Sequence, residues 1–517
     1  MDWNNNKILK MKIKHLRILL IVATLTTQAC IDHLPSQNYI EWTLPQVIRM
    51  AQDSVINAFR AQHNYQQQLW TYHEYEAKRG LQINLKLSPN YVRQRFLLSQ
   101  NYMLQDLSNA LSLNTEIRID KQMNNWGGDI YIASQGMWSW LMNGSPFYGI
   151  GNNLMYSGTP IRIGYHQDLL GYNPYKWDKI IEEFHLERAA NELVYQMAEI
   201  SETAVSRFFA LAQAQADYNM YLTNVNTSQN LYEIGKEKFY NTSIRKDELL
   251  SLELELRNSR NSLSIAKVTL DNCKHDLLSY LNMKDKAQDI RLVIPSNQEQ
   301  IMINASNAIQ QALMINPNLM EQQEHMLKEE KNLEYANKQH KWYRISLDLS
   351  FGMQQLHNYY ASDPLRNYQY ALSNASFTIP IFDNGLAESR VRKAKLSIST
   401  LNDEIDERER LLREDVLNTI NNFHEQQILL KESGETMQLA DKAFKLSQYN
   451  YANGLSDMNT FTLAQNRKDV AHNNYIKNLE QYWESYYRLC RLTLYDWSQK
   501  KPLKQDLNNK LSNKTER

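Results

Sequence analysis

From residue 177 to about 238 the apolar positions fall on one helical face. Trp177, Ile181, Phe184, Leu193, Met197, Ile200, Ala204, Phe208 and Leu211 carry the pattern. The periodicity predicts a single rod of about 60 residues, about 90 Å long at 1.5 Å per residue. A second helix is predicted over about 247–283. The pair recurs over about 386–449 and 460–495. An ordinary globular helix averages about 12 residues, so rods this long must pack along one another as coiled coils.

Between the helical blocks the period changes from 3.6 to two. In 344–353, Ile345, Leu347, Leu349, Phe351 and Met353 face one way, and Arg344, Ser346, Asp348 and Ser350 the other. In 160–166, Ile161, Ile163 and Tyr165 oppose Arg162, Gly164 and His166. Ile117 and Ile119 alternate with Glu116, Arg118 and Asp120, and 129–140 is also strand-like. In 368–382 the apolar phase moves from Tyr368, Tyr370 and Leu372 to Phe377, Ile379 and Ile381, which predicts a bulge. Apolar positions alternating with charges fit a barrel that is apolar toward lipid and polar toward a lumen. A surface sheet of a soluble domain is the alternative. Aromatics in or beside these strands, among them Trp126, Trp138, Trp140, Tyr156 and Tyr360, favour the barrel, whose interfaces carry such girdles.

The chain repeats itself. The ends of two strand regions, at Asp168 and Pro380, lie 212 positions apart, and so do the turns between long helices at Phe239 and Tyr451. Upstream, Ala51 and Ala312 correspond at a spacing of 261. The first copy therefore carries an extra 49 residues between about 85 and 160. Two copies of helix–strand–strand–helix–helix account for nearly all of the sequence.

Composition sharpens this picture. The 517 residues include 15 glycines and 11 prolines, less than half the average usage of about 7% and about 5%. No proline occurs in 175–294 or 381–501, and nine glycines crowd between Gly127 and Gly171. A collagen-like or disordered chain is excluded. The 57 basic and 57 acidic side chains cancel, which removes any electrostatic reason to expect nucleic acid.

Several short motifs now add up. Ala312-Leu313-x-x-Asn316-Pro317 precedes a strand region. Thr378-Ile379-Pro380-Ile381-Phe382-Asp383-x-Gly385 marks a strand-to-helix corner, followed by Arg392-Lys393-Ala394. Tyr451-x-x-Gly454-x-Ser456 and Ala464-Gln465-Asn466 mark a helical-hairpin tip. The first copy is more degenerate, with Gln167-Asp168-Leu169-Leu170 and then Asn173-Pro174 at its corner. In order, spacing and duplication, these resemble the TolC family of outer-membrane efflux proteins over about residues 43–497. The resemblance implies a mainly α fold with membrane β: a trimeric 12-stranded β-barrel, four strands per chain, continued by a long coiled-coil α-helical barrel in the periplasm. Four strands cannot close a barrel alone, and an open edge is not viable in lipid.

The N-terminus has the layout of a secretory signal. Lys7, Lys10, Lys12, Lys14 and Arg17 precede an apolar run from Ile18 to Ala23, then Thr27-Gln28-Ala29-Cys30. Met11 is a candidate start. Cys30 after Ala29 resembles a lipoprotein acylation site, though Thr27 stands where Leu is usual; plain cleavage after Ala29 is the alternative. The expected organisation is a signal peptide over 1–29, an anchor segment over 30–42, repeats over 43–295 and 296–497, and a disordered tail over 498–517.

Catalytic chemistry is not indicated. Cys30, Cys273 and Cys490 make neither a disulfide framework nor a zinc motif. His73-Glu74-x-Glu76 lacks a second histidine at the required position, and Gly127-Gly128 lacks the Lys-Ser/Thr of a phosphate loop. No enzyme activity, metal or cofactor is expected. Function is expected at the hairpin tips, as gate and adaptor-docking site: Phe239, Thr242, Asp247, Glu248, Tyr451, Gly454, Ser456 and Asp457. Asp247 and Glu248 have a second reading as acids favoured at a helix N-terminus. Gln167, Asn173, Pro174, Pro380 and Gly385 form the strand-to-helix corners. The expected role is an outer-membrane channel of a tripartite efflux system, passively exporting small molecules, with a periplasmic adaptor and an inner-membrane pump as partners. The exit duct of a type I protein secretion system is one alternative, and a pore-less lipid-anchored periplasmic scaffold another.

Overall fold

The computed structural model describes residues 40–97, 105–123, 126–142, 153–168, 171–241, 244–283, 290–295, 300–340, 344–358, 366–379, 381–453 and 455–505. The signal segment, Cys30, Thr242, Pro380, Gly454 and residues 506–517 lie outside the described residues.

Each repeat opens with a short strand, β1 (Ile40–Thr43) or β6 (Ile290–Val293), and the two pair in parallel. Two helices follow in each: α1 (Leu44–Ser54) and α2 (Ile56–Arg79), then α5 (Ala305–Ile315) and α6 (Pro317–Gln339). The break between them is a single extended residue. In the second repeat it is Asn316, held out of the helical region by the ring of Pro317 and capping Asn318 N at 3.1 Å. In the first repeat Val55, 261 positions earlier, takes the same extended conformation with no proline behind it.

The rods are α3 (Pro174–Tyr240) and α7 (Leu386–Ala452), each 67 residues and about 100 Å long. Both ends of α7 lie 212 positions beyond those of α3. Each rod folds back on a shorter helix, α4 (Lys246–Tyr280) or α8 (Met458–Thr493). The core sits at mid-height, where α1 and α5 pack on the rods. Leu44, Val47 and Ala51 of α1, Phe208 and Phe209 of α3, Leu277 of α4, Ala308 and Ala312 of α5, Phe423 of α7 and Tyr482 of α8 form one buried cluster. Small residues at the α1 and α5 contacts let the backbones approach closely.

Among the described residues the second repeat has two long strands, β7 (Arg344–Asn358) and β8 (Arg366–Thr378). The first has four: β2 (Gln82–Leu97), β3 (Gln105–Met123), β4 (Gly128–Met142) and β5 (Asn153–Asp168). All six form one antiparallel sheet, in the order β2-β3-β4-β5-β7-β8. This corrects the expectation of four strands per chain, and with it the twelve-strand count for three copies. Among the described residues, the extra length of the first repeat supplies one additional hairpin, β3–β4. The bulge expected in 368–382 is also absent, since β8 pairs with β7 without interruption from Arg366 to Thr378. Register shifts occur instead around β5, at Ala133/Gln135 and at Gly158/Ile161.

The C-terminal segment differs from its expectation too. Residues 498–505, expected to be disordered, follow β9 (Tyr495–Asp496) into β10 (Lys501–Pro502) and return to the core. Leu503 N donates to Leu494 O at 3.0 Å, and Trp497 and Leu503 pack on the core. Two apolar side chains in a polar stretch are enough to fasten it.

Candidate functional site

The sheet has two chemically opposite faces. The register aligns Ile83, Ile119, Ile132, Ile163 and Phe351 across five strands on one face. These side chains are not covered by the protein: Ile83 is 70% exposed, Phe351 58% and Ile132 46%. Toward the strand ends far from the helices the same face carries Trp138 and Tyr156, with ring centroids 4.7 Å apart, and exposed Tyr91 and Trp140. A continuous exposed apolar face of this extent, edged by aromatics, requires a nonaqueous covering.

The opposite face carries charge. Asn84, Arg118, Ala133, Arg162 and Gly352 align across it. Arg162 reaches Glu116 at 3.5 Å, Arg118 reaches Asp120 at 2.7 Å, and His166 on β5 hydrogen-bonds Asp348 on β7. Tyr131 lies flat against Gly164, where a Cβ would sit 2.1 Å from the ring. The Arg118 guanidinium stacks 4.1 Å from the centroid of the same ring. Glycine here makes room for an aromatic that in turn carries an arginine.

The corners where strand becomes helix are built differently in the two repeats. At the first, Asn173 caps α3, accepting from Tyr175 N at 3.1 Å and Lys176 N at 3.4 Å, with Pro174 at the first helical position. Gln167 Nε2 donates to Trp126 O at 2.7 Å, and Tyr175 Oη donates to Asp129 at 2.7 Å. Both bonds tie the corner to the β3–β4 turn, where Gly127 has φ +76°. At the second, Gly385 has φ +77° and precedes α7. The capping carboxylate is Asp383, which accepts from Gly385 N at 3.0 Å and Ala387 N at 3.1 Å. The corner motif includes Asp383 without assigning it the capping role, although Asp-Asn-Gly is a turn signal.

At the far ends of the rods the two hairpin tips meet. Phe461 of α8 is fully buried with Leu231 of α3 and Leu252 of α4. Tyr451 and Phe444 of α7 lie 5.6 Å from its ring. Lys238 of α3 stands 5.9 Å from the Tyr451 ring. Burial, then the charge of Glu248, push the Tyr451 hydroxyl above its ordinary pKa. Tyr451, Glu248 and the neighbourhood of Phe239 are thus brought together. Asp247 and Glu248 occupy the first turn of α4, and Asp247 pairs with Arg245 at 3.0 Å. Asp457 caps α8, accepting from Thr460 N at 2.9 Å. Its neighbour Ser456 is half-buried at the same turn. Thr242 and Gly454 lie outside the described residues. The pin formed by Phe461, Leu231 and Leu252 was not anticipated, and helical spacing alone does not separate it from ordinary core.

Above the tips, Glu324 of α6 is 4% exposed and meets a histidine and two cationic side chains. His185 Nδ1 lies at 3.0 Å and Arg188 Nε at 2.7 Å, both on α3, and Lys328 Nζ at 2.6 Å. Burial raises the carboxyl pKa, but the hydrogen bonds from His185, Lys328 and Arg188 outweigh it and hold the group well below the usual range. Among the described residues no cluster of His, Cys, Asp and Glu is arranged to hold a metal ion. No described helix is long and apolar enough to cross a membrane.

Residues 308–493, essentially the second repeat, match the outer membrane efflux protein family. No curated protein matches the sequence. Solved outer-membrane channels share the fold at low identity. The CmeC channel of Campylobacter jejuni superposes with a TM-score of 0.61 at 12% identity, covering 87% of this chain and 85% of that one. The open state of MtrE from Neisseria gonorrhoeae gives 0.59 at 12%, covering 88% and 89%. VceC from Vibrio cholerae gives 0.59 at 11%, covering 87% and 95%.

Proposed function

We propose that this chain, whose residues 308–493 match the outer membrane efflux protein family and whose fold is shared with solved outer-membrane channels, is the outer-membrane channel of a tripartite export system. Three copies form the conduit. The sheet lies in the outer membrane of a Gram-negative cell and the rods extend into the periplasm. Small molecules pass through passively, and an inner-membrane pump working through a periplasmic adaptor supplies the energy.

The observation that carries this reading is the two-faced sheet joined to 67-residue rods. The apolar face suits lipid, the charged face suits water, and rods of about 100 Å reach far beyond a hydrocarbon core of about 30 Å. The tips serve as gate and docking point through Phe239, Asp247, Glu248, Tyr451, Ser456 and Asp457, with Thr242 and Gly454 lying between them in the sequence. Opening is a rearrangement of helix ends and makes no bond. Acylation of Cys30 adds a lipid anchor, and intact-mass measurement of the mature protein reads it directly.

Planar-bilayer recording of purified protein tests the channel. Discrete conductance steps are expected, larger after residues 239–247 and 451–457 are shortened. Silence from both forms would exclude a pore and leave the scaffold reading.

A further inference from the structure

Each chain is joined to the sheet by four helices and crosses it on six strands. The helices lie side by side in the order α2, α3, α6, α7. α2 leads into β2, β5 into α3, α6 into β7 and β8 into α7. The outermost strands, β2 and β8, have one neighbour each. The hairpin that makes the number six is part of the wall. β3 pairs with β2 along the whole of β2, from Gln82 to Leu97, and with β4 from Asn109 to Met123. Its turn is bonded to the α3 corner through Gln167 and Tyr175.

Edge strands with unpaired amides are not tolerated in hydrocarbon, so β2 and β8 must find partners. They are not paired with each other, and the occupant their directions fit is a second copy. β2 runs away from the helices and β8 runs back toward them. Copies related by rotation about the membrane normal therefore bring β8 of one against β2 of the next in antiparallel alignment. That is the pairing sense of every other neighbour in the sheet.

We propose that three copies close a single eighteen-stranded barrel, half as wide again as a twelve-stranded one. The proposal rests on the three-copy assembly of the proposed function. The dimensions of the two layers support it. At about 4.8 Å between strands and a tilt of about 40°, six strands occupy about 38 Å of perimeter and four occupy about 25 Å. Four packed helices at 8–10 Å spacing occupy about 32–40 Å. Six strands therefore sit above four helices without a taper. The closed wall has a perimeter of about 110 Å and a backbone diameter of about 36 Å, against about 24 Å for twelve strands. The membrane section is then no narrower than the helical tunnel, and size selection falls to the tips.

The test uses the full-length protein in lipid nanodiscs. Native mass spectrometry counts the copies, and electron cryomicroscopy along the barrel axis measures the perimeter. Three copies with a perimeter of about 110 Å are expected. Three copies with a perimeter of about 75 Å, the β3–β4 hairpin lying off the wall, would overturn the wide barrel and leave the trimer standing. Two copies, giving twelve strands, would overturn both. Cross-linking gives a second readout. Leu85→Cys on β2 combined with Ser373→Cys on β8 should yield covalent trimers with a short bifunctional thiol reagent. Ile119→Cys on β3 with Ser373→Cys should not, and trimers from that pair would refute the edge assignment.

Discussion

Glu324 offers the sharpest test of how the two repeats are held together. Its carboxylate is 4% exposed and joins α6 of the second repeat to α3 of the first through His185 and Arg188. Glu324→Gln keeps the shape and removes the charge. Breaking a buried ion pair by removing one partner costs about 3–5 kcal/mol, because the other charge is left desolvated. Arg188, 21% exposed, cannot rehydrate fully, whereas Lys328, 47% exposed, can turn to water. The low end applies, about 3 kcal/mol, or about two orders of magnitude in the unfolding equilibrium. The measurement is urea unfolding in detergent followed by helical circular dichroism, wild type against variant, from pH 8 to pH 2. The carboxyl pKa is lowered on folding, so its contribution is complete above the unfolded value of about 4.3 and disappears as pH falls through the folded value. The gap should persist from pH 8 to pH 5 and close only in strong acid. Equal midpoints at pH 7, or a gap that closes by pH 5, would refute the reasoning.

Phe461→Ala empties the pin between the tips and should cost about 3–5 kcal/mol locally. Faster amide exchange in the first turns of α4 and α8, with more frequent openings in bilayer recordings, would be its signature. Glu480 is raised to about 7 by burial and then by the charge of Glu484. Its raised pKa means that the protonated form is favoured on folding, so stability falls as pH climbs from about 4.3 to 7 and levels off above. Glu480→Gln should flatten that slope, and an unchanged profile would exclude Glu480 as its source. Gly164→Ala places a methyl group within 2.1 Å of the Tyr131 ring, and heat-resistant trimers on SDS gels should be lost. The double variant with Tyr131→Ala should restore them, which a purely backbone role for Gly164 would not allow.

The rods were legible because a 3.6-residue period sustained over sixty positions leaves no competing reading. The offsets of 212 and 261 follow from that regularity. The strand count was not read correctly, though part of its signal was present. Ile83, Leu85 and Leu87 alternate with Asn84, Lys86 and Ser88 as cleanly as 344–353 does, but the run abuts a helix without a proline or a turn dipeptide. The phase change at Leu372 and Phe377 looked like a bulge. It is instead an edge strand with apolar residues on both faces. Contacts such as Glu324 with His185, 139 positions apart, have no local signature, since a lone acid on a helix reads as a solvated one. Asp383 stands inside the corner motif, but the motif alone does not distinguish the capping carboxylate from the proline and glycine that make the turn.

The equal length of α3 and α7 has a consequence for how such a chain can change over evolutionary time. One residue inserted anywhere along either rod turns everything beyond it by about 100° and advances it by about 1.5 Å. Every seam beyond that point would lose its partner, so a tolerated insertion needs a matching one 212 positions away. The sheet has no such bookkeeping, because a hairpin adds two strands at once and leaves all directions unchanged. The 49 residues that distinguish the repeats lie where growth is permitted. Lengthening the rods would take coordinated change in both halves, whereas widening the mouth takes one insertion in either.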